Sequence, residues 1–167
     1  GLAVAGAAMQ GLFRNPLADP GLIGVSTGAS LGAALWFILF AQLAGQGLFA
    51  LIGLPAFAMA GGVALTFLVY RLSRVGGRTD IATMLLVGVA ASAIGAALIG
   101  FLQYLSTYEE LRRLTFWSMG SLARATWLRA GSVALLVVPL GLLLLREARL
   151  LDALLLGYAM GDRPTVV

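Results

Sequence analysis

Charged residues are missing from long stretches of this chain, and the gaps they leave set its architecture. Apolar runs occupy about residues 1–12, 22–43, 54–72, 81–105 and 127–145, with charged and turn-forming residues collected between them. Each of the last four is long enough to cross a hydrocarbon core, which takes ~20 residues of helix. A backbone in lipid must satisfy its own polar groups, so each run is predicted to be helical. No period-two alternation, the mark of a membrane barrel, runs along them. The fold class is therefore all-α, a polytopic transmembrane helical bundle. The first run opens at Gly1 with no basic segment before it, and reads as the end of a helix belonging to a longer chain rather than as a signal peptide.

The connections carry helix starts. In Arg14-Asn15-Pro16-Leu17-Ala18-Asp19-Pro20, Asn15 can cap a short helix with Pro16 at its first position, and Asp19 with Pro20 can cap the next span. Residues 44–53 read as a short uncharged loop. The segment from Arg71 to Asp80 holds three arginines and a Gly76-Gly77 break, with Thr79 or Asp80 available to cap the next span. Residues 106–126 read as the longest connection, a polar loop holding Glu109, Glu110, Arg112, Arg113 and Arg124. After the last span come Arg146, Glu147 and Arg149, then an amphipathic piece at 150–156.

Composition sharpens this. The chain is 60% hydrophobic and 11% charged, whereas a soluble domain carries about a quarter charged residues. So few charges cannot cover a water-facing surface. All 11 basic residues are arginine, and they sit between the apolar runs, which is how membrane proteins set orientation and not how nucleic-acid binders display charge. Alternate loops share a face. One face collects Arg14, Arg71, Arg74, Arg78, Arg146 and Arg149, while the other has Arg112, Arg113, Arg124 and Arg129 offset by Glu109 and Glu110. The positive-inside rule puts the first set in the cytoplasm. With no cysteine and no histidine, disulfides, thiolate or imidazole metal sites and histidine-assisted nucleophiles are excluded within this chain.

Small residues recur every four positions at Gly24, Gly28 and Gly32, and again at Gly88, Ser92, Ala96 and Gly100. Each series lays a smooth strip on a helix that lets backbones approach. For the second, two readings stand: helix packing, or the lining of a wide pathway for a bulky substrate. Gly24-Val25-Ser26-Thr27-Gly28 matches the hydrolase pattern G-x-S-x-G, but that elbow needs a strand-to-helix turn and a histidine base, so packing is the better reading. Glu109 and Glu110 beside Arg112 and Arg113 suit solvated ion pairs better than acid–base work. Tyr104, Tyr108, Phe116, Trp117 and Trp127 suit an interfacial aromatic belt. No charge lies near the middle of a span, which disfavours an ion-coupled transporter. No G-x-x-x-x-G-K-[ST] loop occurs, so ATP hydrolysis would belong to another subunit.

The stretch Gly6-Ala7-Ala8-Met9-Gln10-Gly11-Leu12-Phe13-Arg14-Asn15-Pro16-Leu17-Ala18-Asp19-Pro20, followed by Leu22-Ile23-Gly24-Val25-Ser26-Thr27-Gly28-Ala29, closely resembles the signature of the permease family of bacterial ABC importers for iron-siderophores, haem and cobalamin. Thr115-Phe116-Trp117-Ser118-Met119-Gly120-Ser121-Leu122 with Trp127 resembles that family's loop before its sixth helix. Leu151-Asp152-Ala153-Leu154-Leu155-Leu156-Gly157 is similar to the start of its cytoplasmic coupling segment. The family signature would rest on Arg14, Asn15, Pro16, Leu17, Ala18, Pro20, Gly24 and Gly28.

The resemblance implies a ten-helix type II importer permease of the bacterial inner membrane. Such a permease works as a homodimer with two ATPase subunits below and a periplasmic binding protein above. The chain would cover the end of helix two through helix six. It would hold no cofactor itself, ATP being used by the partner ATPase, and would not be an enzyme. In that frame the helix at 81–105 borders the translocation pathway, which raises the pathway reading of Gly88, Ser92, Ala96 and Gly100 to equal standing with packing. Arg78, Thr79 and Asp80 fall at the cytoplasmic gate, and Leu151, Asp152, Ala153, Leu154 and Gly157 contact the ATPase. Residues 158–167 depart from the family pattern, so a non-transporting remnant stands as the competing reading. The segments 71–84 and 111–127 look most like the haem-importing members, with iron-siderophore and cobalamin import as alternatives.

Overall fold

The computed structural model describes residues 2–13, 15, 19–40, 47–75, 78–121 and 125–147. In chain order the elements are α1 (Leu2–Phe13), a 3₁₀ turn (Pro20–Ile23), α2 (Val25–Leu39), α3 (Gly47–Leu72), the two-residue strands β1 (Arg74–Val75) and β2 (Arg78–Thr79), α4 (Ile81–Leu105), α5 (Tyr108–Met119) and α6 (Trp127–Arg146). The chain divides into two compact units, Pro20–Leu122 and Gly1–Asp19 with Ala123–Val167. In the second, α1 touches α6, which keeps Pro139 in its interior. Membrane helices tolerate such a proline because neighbouring groups satisfy the freed carbonyl.

Helices fall on all five apolar runs, with three departures from the pattern-based reading. The run expected at 22–43 is split. Pro20 opens a 3₁₀ turn instead of an α-helix, Gly24 then takes a left-handed conformation (φ 85°), and the regular helix covers Val25–Leu39. At 1.5 Å per residue this helix reaches roughly 22 Å, less than the ~30 Å of a hydrocarbon core. Conversely, α3 begins at Gly47, inside the stretch read as a loop, and carries Pro55 within it. Nothing charged or strongly turn-forming interrupts those residues. The third departure is α5, which occupies the stretch read as a polar loop. Thr107 and Glu110 form a reciprocal cap: the Glu110 carboxylate accepts from the Thr107 amide at 2.9 Å and the Thr107 hydroxyl accepts from the Glu110 amide at 3.4 Å.

Two helices, Ile52–Leu72 and Ile81–Leu105, are long and apolar enough to cross a membrane. Only 11% and 17% of their apolar windows are buried within the chain. A core helix of a water-soluble protein would be mostly enclosed, so the exposure of these two helices fits membrane spans better than core helices.

The unit Pro20–Leu122 is organised by one close helix pair. A Cβ on Gly28 would run into the Gly61 carbonyl oxygen, one on Gly32 into that of Phe57, and one on Gly53 into the Trp36 ring; Gly24 faces the Leu65 side chain at 3.2 Å. Every four residues gained along α2 lose four along α3, so the two helices run antiparallel with backbones in contact. The periodic glycines Gly24, Gly28 and Gly32 are therefore a packing strip, and its counterpart on α3 is Gly53 and Gly61. At one end of the pair Trp36, Phe40 and Phe57 cluster with ring centroids 5.1 to 5.3 Å apart. Such pairs contribute about 0.5–1.5 kcal/mol each beyond the area they bury. Leu114 and Trp117 bring α5 onto this cluster, and Leu102 brings the end of α4. At the other end Ile23, Val69 and Ser73 are buried.

Candidate functional site

Two features collect the candidate residues: the turn between α3 and α4, and the face of α4 itself. The turn is a tight antiparallel hairpin in which Arg74 pairs with Thr79 and Val75 with Arg78. Ser73 anchors it. Its amide donates to the Val69 carbonyl (3.0 Å), its hydroxyl to the Tyr70 carbonyl (2.9 Å), and its own carbonyl accepts from the Asp80 amide (3.2 Å). Asp80, not Thr79, caps α4, accepting from the Thr83 hydroxyl at 2.6 Å and the Thr83 amide at 2.8 Å. The hydroxyl and then the amide hold the Asp80 carboxyl below its ordinary value. The hairpin thus sets Arg78, Thr79 and Asp80 side by side at the entrance of α4.

The four small residues of α4 part company. Gly88 is buried, and a Cβ there would meet the Leu22 carbonyl oxygen of the 3₁₀ turn. Ser92 is half-buried, Ala96 is exposed, and Gly100 has nothing within 4 Å of where a Cβ would stand. Steps of four on an α-helix advance about 40° each, so the strip winds off the contact face within three steps. The second contact is Gly95, seven residues from Gly88, which faces the Thr27 side chain of α2. A spacing of seven returns to nearly the same angle, and that signal was present in the sequence. The hydroxyl oxygens of Ser92 and of Thr66 on α3 are buried without a hydrogen-bond partner among the described residues. They are polar points inside an otherwise apolar interior.

Among the remaining candidates, Gly24 and Gly28 belong to the α2–α3 contact, Pro20 opens the 3₁₀ turn, and the Asn15 amide donates to the Gln10 carbonyl at the end of α1 (3.2 Å). Arg14, Pro16, Leu17 and Ala18 lie outside the described residues, as do Leu151, Asp152, Ala153, Leu154 and Gly157. Ser26 is exposed in the first turn of α2 and follows a 3₁₀ turn instead of a strand, so the hydrolase elbow has no counterpart here. Glu109 and Glu110 open α5, where Glu109 pairs with Arg112 at 4.0 Å on an exposed face. Tyr104, Tyr108 and Phe116 are exposed, while Trp117 packs against the aromatic core. Trp127, at the start of α6, is 95% exposed.

Helices locked backbone to backbone through glycine, two of them long, apolar and exposed enough to be membrane spans, define a polytopic helical membrane fold. The chain belongs to the FecCD transport family, whose model matches residues 1–162. It is 42% identical over 156 residues to the hemin transport system permease protein HmuU of Yersinia pestis. It is 38% identical over the same length to the vitamin B12 import system permease protein BtuC of Pectobacterium atrosepticum, and 41% identical to BtuC of Yersinia enterocolitica. These alignments take in 93% of this chain but only 44–46% of the relatives, so the chain spans about half their length. A solved metal-chelate type ABC transporter in an inward-facing conformation superposes with a TM-score of 0.64 at 30% identity, covering 93% of this chain and 50% of that one.

Proposed function

We propose that the chain is part of the permease subunit of a bacterial ABC importer that moves haem or an iron-siderophore across the inner membrane. The observation that carries this reading is the 42% identity to a hemin permease along 93% of the chain. In this reading the subunit pairs with a second copy, takes its energy from separate ATPase subunits, and receives cargo from a periplasmic binding protein. It binds no cofactor of its own, ATP being spent on the partner, and performs no catalysis. The five helical runs act as transmembrane segments of the permease and residues 150–157 as the start of the segment that contacts the ATPase, while the family match itself runs on to residue 162.

The geometry supports a division of labour. The α2–α3 pair is clamped backbone to backbone along its length, whereas α4 makes its close backbone approaches at Gly88 and Gly95, packs Leu102 on the aromatic cluster, and leaves Ala96 and Gly100 uncovered. In the proposed mechanism the uncovered stretch of α4 borders the cargo, and the hairpin at Arg78, Thr79 and Asp80 lies at the cytoplasmic mouth. A smooth, weakly binding wall lets the cargo leave, so affinity resides in the binding protein. A second reading, cobalamin import, is favoured by the 38–41% identity to vitamin B12 permeases over the same residues.

The test is uptake. The complete reading frame containing this chain is expressed with its neighbouring ATPase and binding-protein genes in a bacterium lacking haem, siderophore and cobalamin permeases. Radiolabelled haem, ferric siderophore and cobalamin are then offered separately. Haem or siderophore uptake that stops when the ATPase is inactivated supports the proposal, and cobalamin uptake alone selects the second reading. No uptake of any of the three leaves the non-transporting remnant as the answer.

A further inference from the structure

We draw no further inference here: the strongest candidate, the exposed face of α4 that carries Ala90, Ala93, Ala97 and Gly100 on the side away from Gly88 and Gly95, is a stripe of small residues on the helix already proposed to border the cargo, and nothing in the structure shows what covers it.

Discussion

The α2–α3 contact and the contacts of α4 use the same residue types with different results. Along α2 the glycines sit four apart and each meets α3 directly: Gly28 the Gly61 carbonyl, Gly32 the Phe57 carbonyl, with Trp36 returning the contact over Gly53. Along α4 small residues also sit four apart, yet only Gly88 of that series is fully buried and Ser92 is half-buried, and the helix is joined by Gly88 and Gly95 alone among its glycines. A spacing of four marks a seam only where the partner helix crosses so as to follow a winding ridge. A helix that presents a straight stripe is read every seven residues instead. The difference separates a pair locked along a whole glycine row from a helix that comes backbone-close at two glycines and packs by side chains elsewhere.

The sharpest way to break this contrast is at the seam. Gly28→Val would push two methyl groups into the Gly61 backbone, which has no rotamer to give way. It is expected to destabilise by more than about 3 kcal/mol, read as a loss of folded protein in detergent thermal unfolding. Next in size is Gly88→Ala, whose methyl meets the Leu22 carbonyl. A loss of about 1–2 kcal/mol is expected, with cross-linking between α2 and α3 unaffected because their own seam is untouched.

A smaller effect probes how α4 is held at its end. With the Asp80 carboxyl lowered by Thr83, its stabilisation is present above the unfolded value and is lost as pH falls through the lower folded one. Unfolding temperatures of the unaltered chain should therefore fall more steeply than those of Asp80→Asn below about pH 4, and should not diverge further between pH 5 and 7. The smallest effect is Gly100→Ala. Its methyl enters open space, so stability should hold or rise by up to about 1 kcal/mol through helix propensity. A loss comparable to that of Gly88→Ala would erase the distinction drawn along α4.

The sequence made some of this legible. Long uncharged runs can only be helices in lipid, and every one of them holds a helix in the structure. The Gly24, Gly28, Gly32 series announced a close approach, because glycines four apart clear one face of side chains, and Gly24 also supplies the left-handed turn before α2. Its partner was hidden, since the facing row on α3 mixes Gly53 and Gly61 with Phe57 and Leu65. There the contact is made by carbonyl oxygens, which sequence does not display. Spacing alone hides the 40° drift of the α4 strip, and with it the contact at Gly95. The charges of α5 suit no membrane span, so apolar patterning gives a loop there, while the Thr107-x-x-Glu110 cap is the signal that marks a helix start. Of the candidate site, the order of Arg78, Thr79 and Asp80 at the mouth of α4 followed from a turn signal and a cap signal. The fate of Leu151, Asp152, Ala153, Leu154 and Gly157 falls outside the described residues.

The antiparallel register of α2 and α3 also bears on how the protein is made. Helices joined by a short connection meet without a long search, and in lipid they associate after each has been inserted. This seam can close as soon as α3 leaves the insertion machinery, before α4 exists in the membrane. When α4 arrives it finds a finished ledge, the Leu22 carbonyl and the Thr27 side chain, against which Gly88 and Gly95 settle. Substitutions at the seam should thus be felt during biogenesis, as chains cleared by quality-control proteases. Those at Ala96 and Gly100, which touch neither partner helix, should pass synthesis unnoticed.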